Sequence, residues 1–163
     1  MGILKKTFIE LIVVLAVLLV IILALNYFID EEESLRIINA QLVEQEITLE
    51  VADNSFLQSI GLSGREYLEE NHGMIFVYDE EIEELSFWMK DALISLDIIF
   101  FNSDFEVVHI IESVPICEQD PCPTYTSPKK AQYVIELNAG WVERHDLEQG
   151  DILKFKALDQ SDS

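Results

Sequence analysis

Residues 86–101 read SFWMKDALISLDIIFF, and the fold turns on how this stretch is read. With Leu85 just ahead of it, Leu85, Phe87 and Met89 alternate with Ser86, Trp88 and Lys90. A period of two is the mark of an extended strand with one apolar face. After a short polar break the pattern resumes. Leu96, Ile98 and Phe100 share one face, and Asp97 falls on the other with Ile99 and Phe101. A carboxylate on an apolar face is costly to leave alone. It needs a cation, a cluster of backbone N–H groups, or a proton. Cations are scarce in this chain, so Lys90 and Arg65 are the natural partners for Asp97.

Working outward, the same alternation appears in both directions. Ile47, Leu49 and Val51 alternate with Glu46, Thr48 and Glu50, and Asn39-Ala40 reads as a turn between two short strands. Asp53 or Asn54 can cap a short helix over SFLQSI that ends at Gly61. GREYLEENHG reads as another helical turn or two stopped by Gly73. Strands are expected over 74–78, 85–89, 94–102, 105–114, 132–137 and 152–156. NSD forms a tight hairpin turn and DEEIEE an acidic loop. NAGWVERHDLEQGD offers Asn138 as a helix cap, a helical turn, and a Gly150-Asp151 turn into the last strand. Seven or eight short strands with two or three small helices predict an α+β, mainly β, compact barrel-like domain rich in antiparallel pairing.

The N-terminal end differs in kind. Leu11 to Leu25 is apolar without a break, and NYFI extends the run to residue 29. A run of about 19 residues suffices to cross a hydrocarbon core of about 30 Å. Lys5 and Lys6 precede it and an acidic stretch follows, which places the N-terminus in the cytoplasm and the rest outside. The rival is a cleaved signal peptide, but Ala24 lacks a small partner two residues away. The expected organisation is a cytoplasmic N-terminus (1–10), a single-pass anchor in the lipid bilayer (11–29), an acidic spacer (30–35), the domain (36–157) and a tail (158–163).

Past residue 29 the chain carries 8 Lys or Arg against 30 Asp or Glu, a formal charge of −22. Such a surface repels nucleic acid and anionic lipid, so no nucleic-acid partner is expected. Cys117 and Cys122 are too few for a zinc site, and no His lies nearby in sequence. In an extracytoplasmic setting a short-loop disulfide leads over free thiols or a redox pair. CxxxxC is not the spacing of a dithiol catalyst.

Catalytic signatures are sparse. No P-loop, dinucleotide fingerprint or His-x-x-x-His pattern occurs, so neither a cofactor nor a metal is implied. GLSGR, with Ser59 and Ser63 around Gly61, is not a nucleophile elbow. His72, His109 and His145 each have an ordinary structural explanation. Trp141 in LNAGW is expected in the core, where an exposed Trp would instead mark a binding site. The acidic loop over 79–84 lacks calcium-loop spacing.

Three blocks, IGLSGREYL…GMIFVY, FWMKDALISLDIIFF and YVIELNAGWVERHDLEQGD, occur in an order and spacing that resembles the family called domain of unknown function 192. The resemblance covers about residues 36–156. The Cys117 to Tyr125 loop resembles a subset of that family in which a Cys pair precedes Pro-x-Tyr. Asp91-Ala92 stand where the family usually has Asn-Thr, Ser95 where it has Pro, and Thr126 where a Pro is common. The resemblance implies a compact, largely β, barrel-like fold and no established reaction.

The leading expectation is a membrane-anchored extracytoplasmic module that binds a small ligand or an envelope protein without catalysis, through a cleft of Arg65, Trp88, Lys90, Asp97 and Trp141. One alternative is an enzyme, such as a hydrolase, with Asp97 and Lys90 as its acid-base pair. The other is a structural partner of an envelope complex, which predicts an exposed apolar patch.

Overall fold

The computed structural model of the protein describes residues 13–23 and 35–155. The chain divides into two units between Ser34 and Leu35. In the first, residues 13–23 form a helix (α1) whose side chains are exposed. Among the described residues no helix is long and apolar enough to cross a membrane. The rest of the expected 11–29 span, with the ends 1–10 and 158–163, lies outside the described residues.

The second unit is a mainly β domain. Its elements run β1 (Ile37–Leu42), β2 (Gln45–Ala52), α2 (Ser55–Ile60), β3 (His72–Ile82), β4 (Ser86–Trp88), β5 (Leu96–Phe101), β6 (Val107–Val114), β7 (Thr124–Thr126), β8 (Ala131–Asn138), α3 (Trp141–Arg144) and β9 (Lys154–Phe155). Seven strands form one sheet in the order β6-β5-β8-β3-β2-β1-β9, and β4 pairs with β7 as a separate ribbon. Among the described strands only β2 and β3 run parallel, across the connection that holds α2. The sheet curls into a half-barrel whose two edges are drawn together near residues 150–155. There β9 pairs with β1, while Glu106 bridges Ile152 and Val107 donates to the carbonyl of Asp151 at 2.8 Å.

Period-two patterning explains how both faces are filled. Ile75, Ile99, Phe101, Ile135 and Leu137 join Leu42, Leu49 and Trp141 in one core. Met74, Phe76, Leu96, Ile98, Phe100 and Val134 point to the other face, where Leu62, Leu68, Phe87 and Met89 cover them. Every residue of β5 is therefore buried, as expected for a central strand covered on both sides. The burial of residues 85–90 alternates as the sequence predicts, with Leu85, Phe87 and Met89 inside and Ser86, Trp88 and Lys90 exposed.

Local capping also follows the sequence. Asn54 is the N-cap of α2, accepting from Leu57 N–H at 2.9 Å. Gly61 ends the helix with φ +52, a conformation that suits glycine. Asn102 closes the β5–β6 hairpin, its side chain accepting from the N–H groups of Asp104 and Glu106.

Several expectations need correction. The β1–β2 turn lies at Val43-Glu44, after the strand has run through Asn39-Ala40. Residues 64–71 are turns and irregular chain, tied down because Leu68 is buried in the outer core. Gly73 lies inside β3 instead of ending a helix; a Cβ there would stand 2.2 Å from the carbonyl oxygen of Glu136. Asn138 ends β8 and donates to the carbonyls of Leu68 and Glu69, and Gly140 is the N-cap of α3. The acidic 79–84 segment mostly extends β3, leaving 83–84 as the turn.

Candidate functional site

The structure divides the expected cleft residues between two faces of the sheet. Asp97 and Trp141 are both fully buried, at 0 % exposure. Asp97 sits on the inner face and accepts three backbone N–H groups: Ser113 at 2.7 Å, Gly140 at 3.1 Å and Val142 at 2.9 Å. It thereby ties β5 to β6 and to the start of α3. Neither Lys90 nor Arg65 pairs with it, which corrects that expectation. Asp97 belongs to the framework, because backbone donors already supply what a buried carboxylate needs. Trp141 packs in the same core, meets the tilted ring of His145 at 4.5 Å between centroids, and donates Nε1–H to Asn71 at 3.0 Å.

Arg65 grips Glu50 with both guanidinium ends. Glu50 lies opposite Met74 in the β2–β3 register, and Met74 lies opposite Glu136 in β3–β8. Glu50, Met74 and Glu136 thus form one row across the outer face. The Arg65 pair stands two strands away from Glu136.

Trp88 and Lys90 are brought together. The Lys90 ammonium lies 5.5 Å from the centroid of the Trp88 ring, within cation–π reach. Trp88 is 55 % exposed. Trp141 lies in the core as expected, and Trp88 is the exposed one of the two.

Both residues edge a cavity between the sheet and the outer layer. Its walls come from Gln58 through Ser63, at the end of α2, and from Phe76, Phe87, Met89 and Leu96. Its floor is Glu136. The room inside is about 40 Å³, enough for a small head group and little more. From its mouth a wider, acidic groove continues past Trp88, Lys90 and Asp91 to Glu118, Asp120 and the Cys117–Cys122 disulfide.

Glu136 is the residue that sequence reasoning missed. It is 5 % exposed, and among the described residues no donor reaches its carboxyl group. Burial pushes its pKa up to about 8, so near neutral pH the folded protein holds a protonated acid there. Tyr78 is raised too, by burial first and by Glu136 second. Gly61 keeps the wall thin above the acid: a Cβ there would stand 3.3 Å from Phe76 Cζ and 4.0 Å from Glu136 Oε2. A signal for Glu136 exists in YVIEL. It is a single acid within an otherwise apolar run, the same test that singles out Asp97.

The remaining candidates lie apart. His72 opens β3 and pairs with Glu69 at 3.0 Å. His109 stands in β6 against Phe100, and its pKa is lowered by partial burial and then by Lys129. Ser59 and Ser63 spend their hydroxyl protons on the carbonyls of Phe56 and Lys90. Among the described residues no group of three or more His, Cys, Asp or Glu is placed to hold a metal ion.

The model of the family described as "Uncharacterized ACR" matches residues 37–155. No curated protein matches the chain. Two solved structures are similar. A Sinorhizobium meliloti 1021 protein, described as a "putative transcription regulator", is 28 % identical with a TM-score of 0.70, over 75 % of this chain and 95 % of that one. A "protein of unknown function" from Novosphingobium aromaticivorans is 26 % identical with a TM-score of 0.67, over 76 % and 89 % of the two chains.

Proposed function

The chain belongs to that family, DUF192, and from this premise we propose that it is a binding module of the cell envelope that takes a small ligand through the Glu136 cavity. The observation that carries the reading is a buried acid without a hydrogen-bond partner among the described residues, set beneath an exposed Trp at the mouth of a groove. Its tether is the apolar run of residues 11–29, with Lys5 and Lys6 held in the cytoplasm and the domain outside. Digestion of the domain by protease added to intact cells is the expected result for that topology. Protection until the cells are opened would reverse it.

The enzymatic alternative built on Asp97 and Lys90 has little support. Three backbone N–H groups engage Asp97 on the inner face, while Lys90 stands over Trp88 at the cavity rim. The description of the Sinorhizobium protein as a regulator does not lead us to propose nucleic-acid binding here. A formal charge of −22 past residue 29 opposes a phosphate backbone.

Binding is tested by thermal shift of the full-length protein in detergent against a chemically mixed library of small molecules. A ligand at a hundredfold excess over its Kd stabilises by about 2.7 kcal/mol, a rise of several degrees. That rise is expected to shrink in Trp88→Ala, whose exposed ring the fold does not need. A library without hits, or hits indifferent to Trp88→Ala, would defeat the reading.

A further inference from the structure

We propose that the Glu136 cavity recognises a primary alkylammonium group, with Glu136 as its counter-ion and Trp88 covering the alkyl chain. The inference rests on the binding reading above and names the ligand class.

Hydrogen-bonding capacity at the site decides the matter. The amide and hydroxyl side-chain donors in the wall are already spent, and the Lys90 ammonium at the rim lies over the Trp88 ring. Gln58 gives its amide N–H groups to the carbonyls of Val77 and Ala52. Ser59 gives its proton to Phe56, and Ser63 gives its own to the carbonyl of Lys90. What remains in the wall is accepting capacity: the Gln58 amide oxygen, the serine lone pairs and, once its proton has left, both oxygens of Glu136. A ligand rich in donors and poor in acceptors fits this set. An ammonium has three donors and no acceptor, and it converts an unpartnered buried acid into a neutralised pair.

Shape and field point the same way. The narrow walls of Phe76, Phe87, Met89 and Leu96 suit a methylene chain, and aromatic faces attract cations. The mouth already shows an alkylammonium on an indole, since Lys90 lies over Trp88. Beyond the mouth, Asp91, Glu118 and Asp120 line the adjoining groove, in a domain whose charge draws cations and repels anions.

The charged and titratable groups facing Glu136 are few. Tyr78 is coupled to it. Lys90 stands at the rim, and the Glu50–Arg65 pair shares its row two strands away. Binding therefore releases one proton, from the Glu136 carboxyl to solvent, as the ammonium takes its place. Affinity for an amine should rise about tenfold per pH unit from pH 6 towards 8 and level off above.

The test is isothermal titration of the full-length protein with n-butylamine, 1,5-diaminopentane and Nα-acetyl-lysine amide, with n-butanol and butyrate as controls. The three amines are expected to bind, with close to one proton released at pH 6.5 in buffers of different ionisation heat. The acetylated lysine separates a side chain presented by a polypeptide from a free amine. If it binds at least tenfold more tightly than n-butylamine, the ligand is a protein lysine; the reverse order assigns a free amine. Glu136→Gln should lose at least tenfold in affinity with its fold intact. Lys90→Met should tighten amine binding by removing a like charge, whereas an anionic ligand would bind the variant more weakly. Butyrate binding without amine binding, or equal amine binding by Glu136→Gln, would overturn the inference while leaving the cavity a binding site. No binding of any amine at millimolar concentration would also overturn it, and the library screen then judges the cavity separately.

Discussion

Asp97→Ala is expected to lower the stability of the domain by about 3–5 kcal/mol, a large share of the about 5–15 kcal/mol that a domain holds in reserve. The substitution removes the acceptor for the N–H groups of Ser113, Gly140 and Val142 at once. A buried donor left without a partner costs about 1–3 kcal/mol, and Asp97 is inaccessible to water that would substitute for it. Asp97→Asn keeps one oxygen, which serves Ser113 and Gly140, but turns an amide donor towards the Val142 N–H. Its loss should therefore be intermediate. Urea unfolding, read from the midpoint at constant slope, orders the three proteins. The order wild type, Asn, Ala supports a framework role. An Asp97→Ala protein as stable as wild type would remove Asp97 from the framework and reopen the catalytic reading.

That result also bears on what was legible in the amino-acid sequence. The alternation over residues 85–90 and 96–101 assigns faces correctly, because a strand covered on one or both sides leaves its period in the choice of apolar residues. The family resemblance adds the barrel-like β fold. Asp97 is visible as an acid in an apolar row. Its partners are not, because they are backbone N–H groups, which every residue except proline carries and which therefore leave no mark in the sequence. Lys90 and Arg65 are conspicuous by their scarcity, and that is what misdirects the pairing. The hairpin turn is hidden for a related reason. Asn39-Ala40 has the composition of a turn, while the true turn places Val43 at φ +54, which a β-branched residue rarely adopts. Residues 64–71 lack an apolar helical stripe, and Gly73 serves close approach to Glu136 in the neighbouring strand. The cavity itself depends on α2 and the β4–β7 ribbon meeting over the sheet. Such long-range meetings are not written in any local pattern.

The second large effect is a dependence of stability on pH that Glu136→Gln should abolish. The folded protein holds the Glu136 proton up to about pH 8, while in the unfolded chain an ordinary glutamate releases it near 4.5. Between these values the unfolded state has lost a proton that the folded state keeps. The unfolded state therefore gains as pH rises, and stability falls by about 1.4 kcal/mol per pH unit. The whole loss is on the order of 4–5 kcal/mol. It is absent below about pH 4.5 and complete above about pH 8. Gln has nearly the same shape and no proton to lose. The stability of the variant minus that of wild type should thus climb across this window and flatten above it. Taking the difference removes groups common to both proteins, including Glu81, whose pKa is lowered first by the Ser103 backbone N–H. That group acts with the opposite sign, since its contribution is lost as pH falls. Denaturant midpoints at half-unit steps from pH 4 to 9 give the curve. A flat difference would mean that Glu136 ionises in the fold as freely as in the open chain, and a buried neutral acid could then no longer be the floor of the cavity.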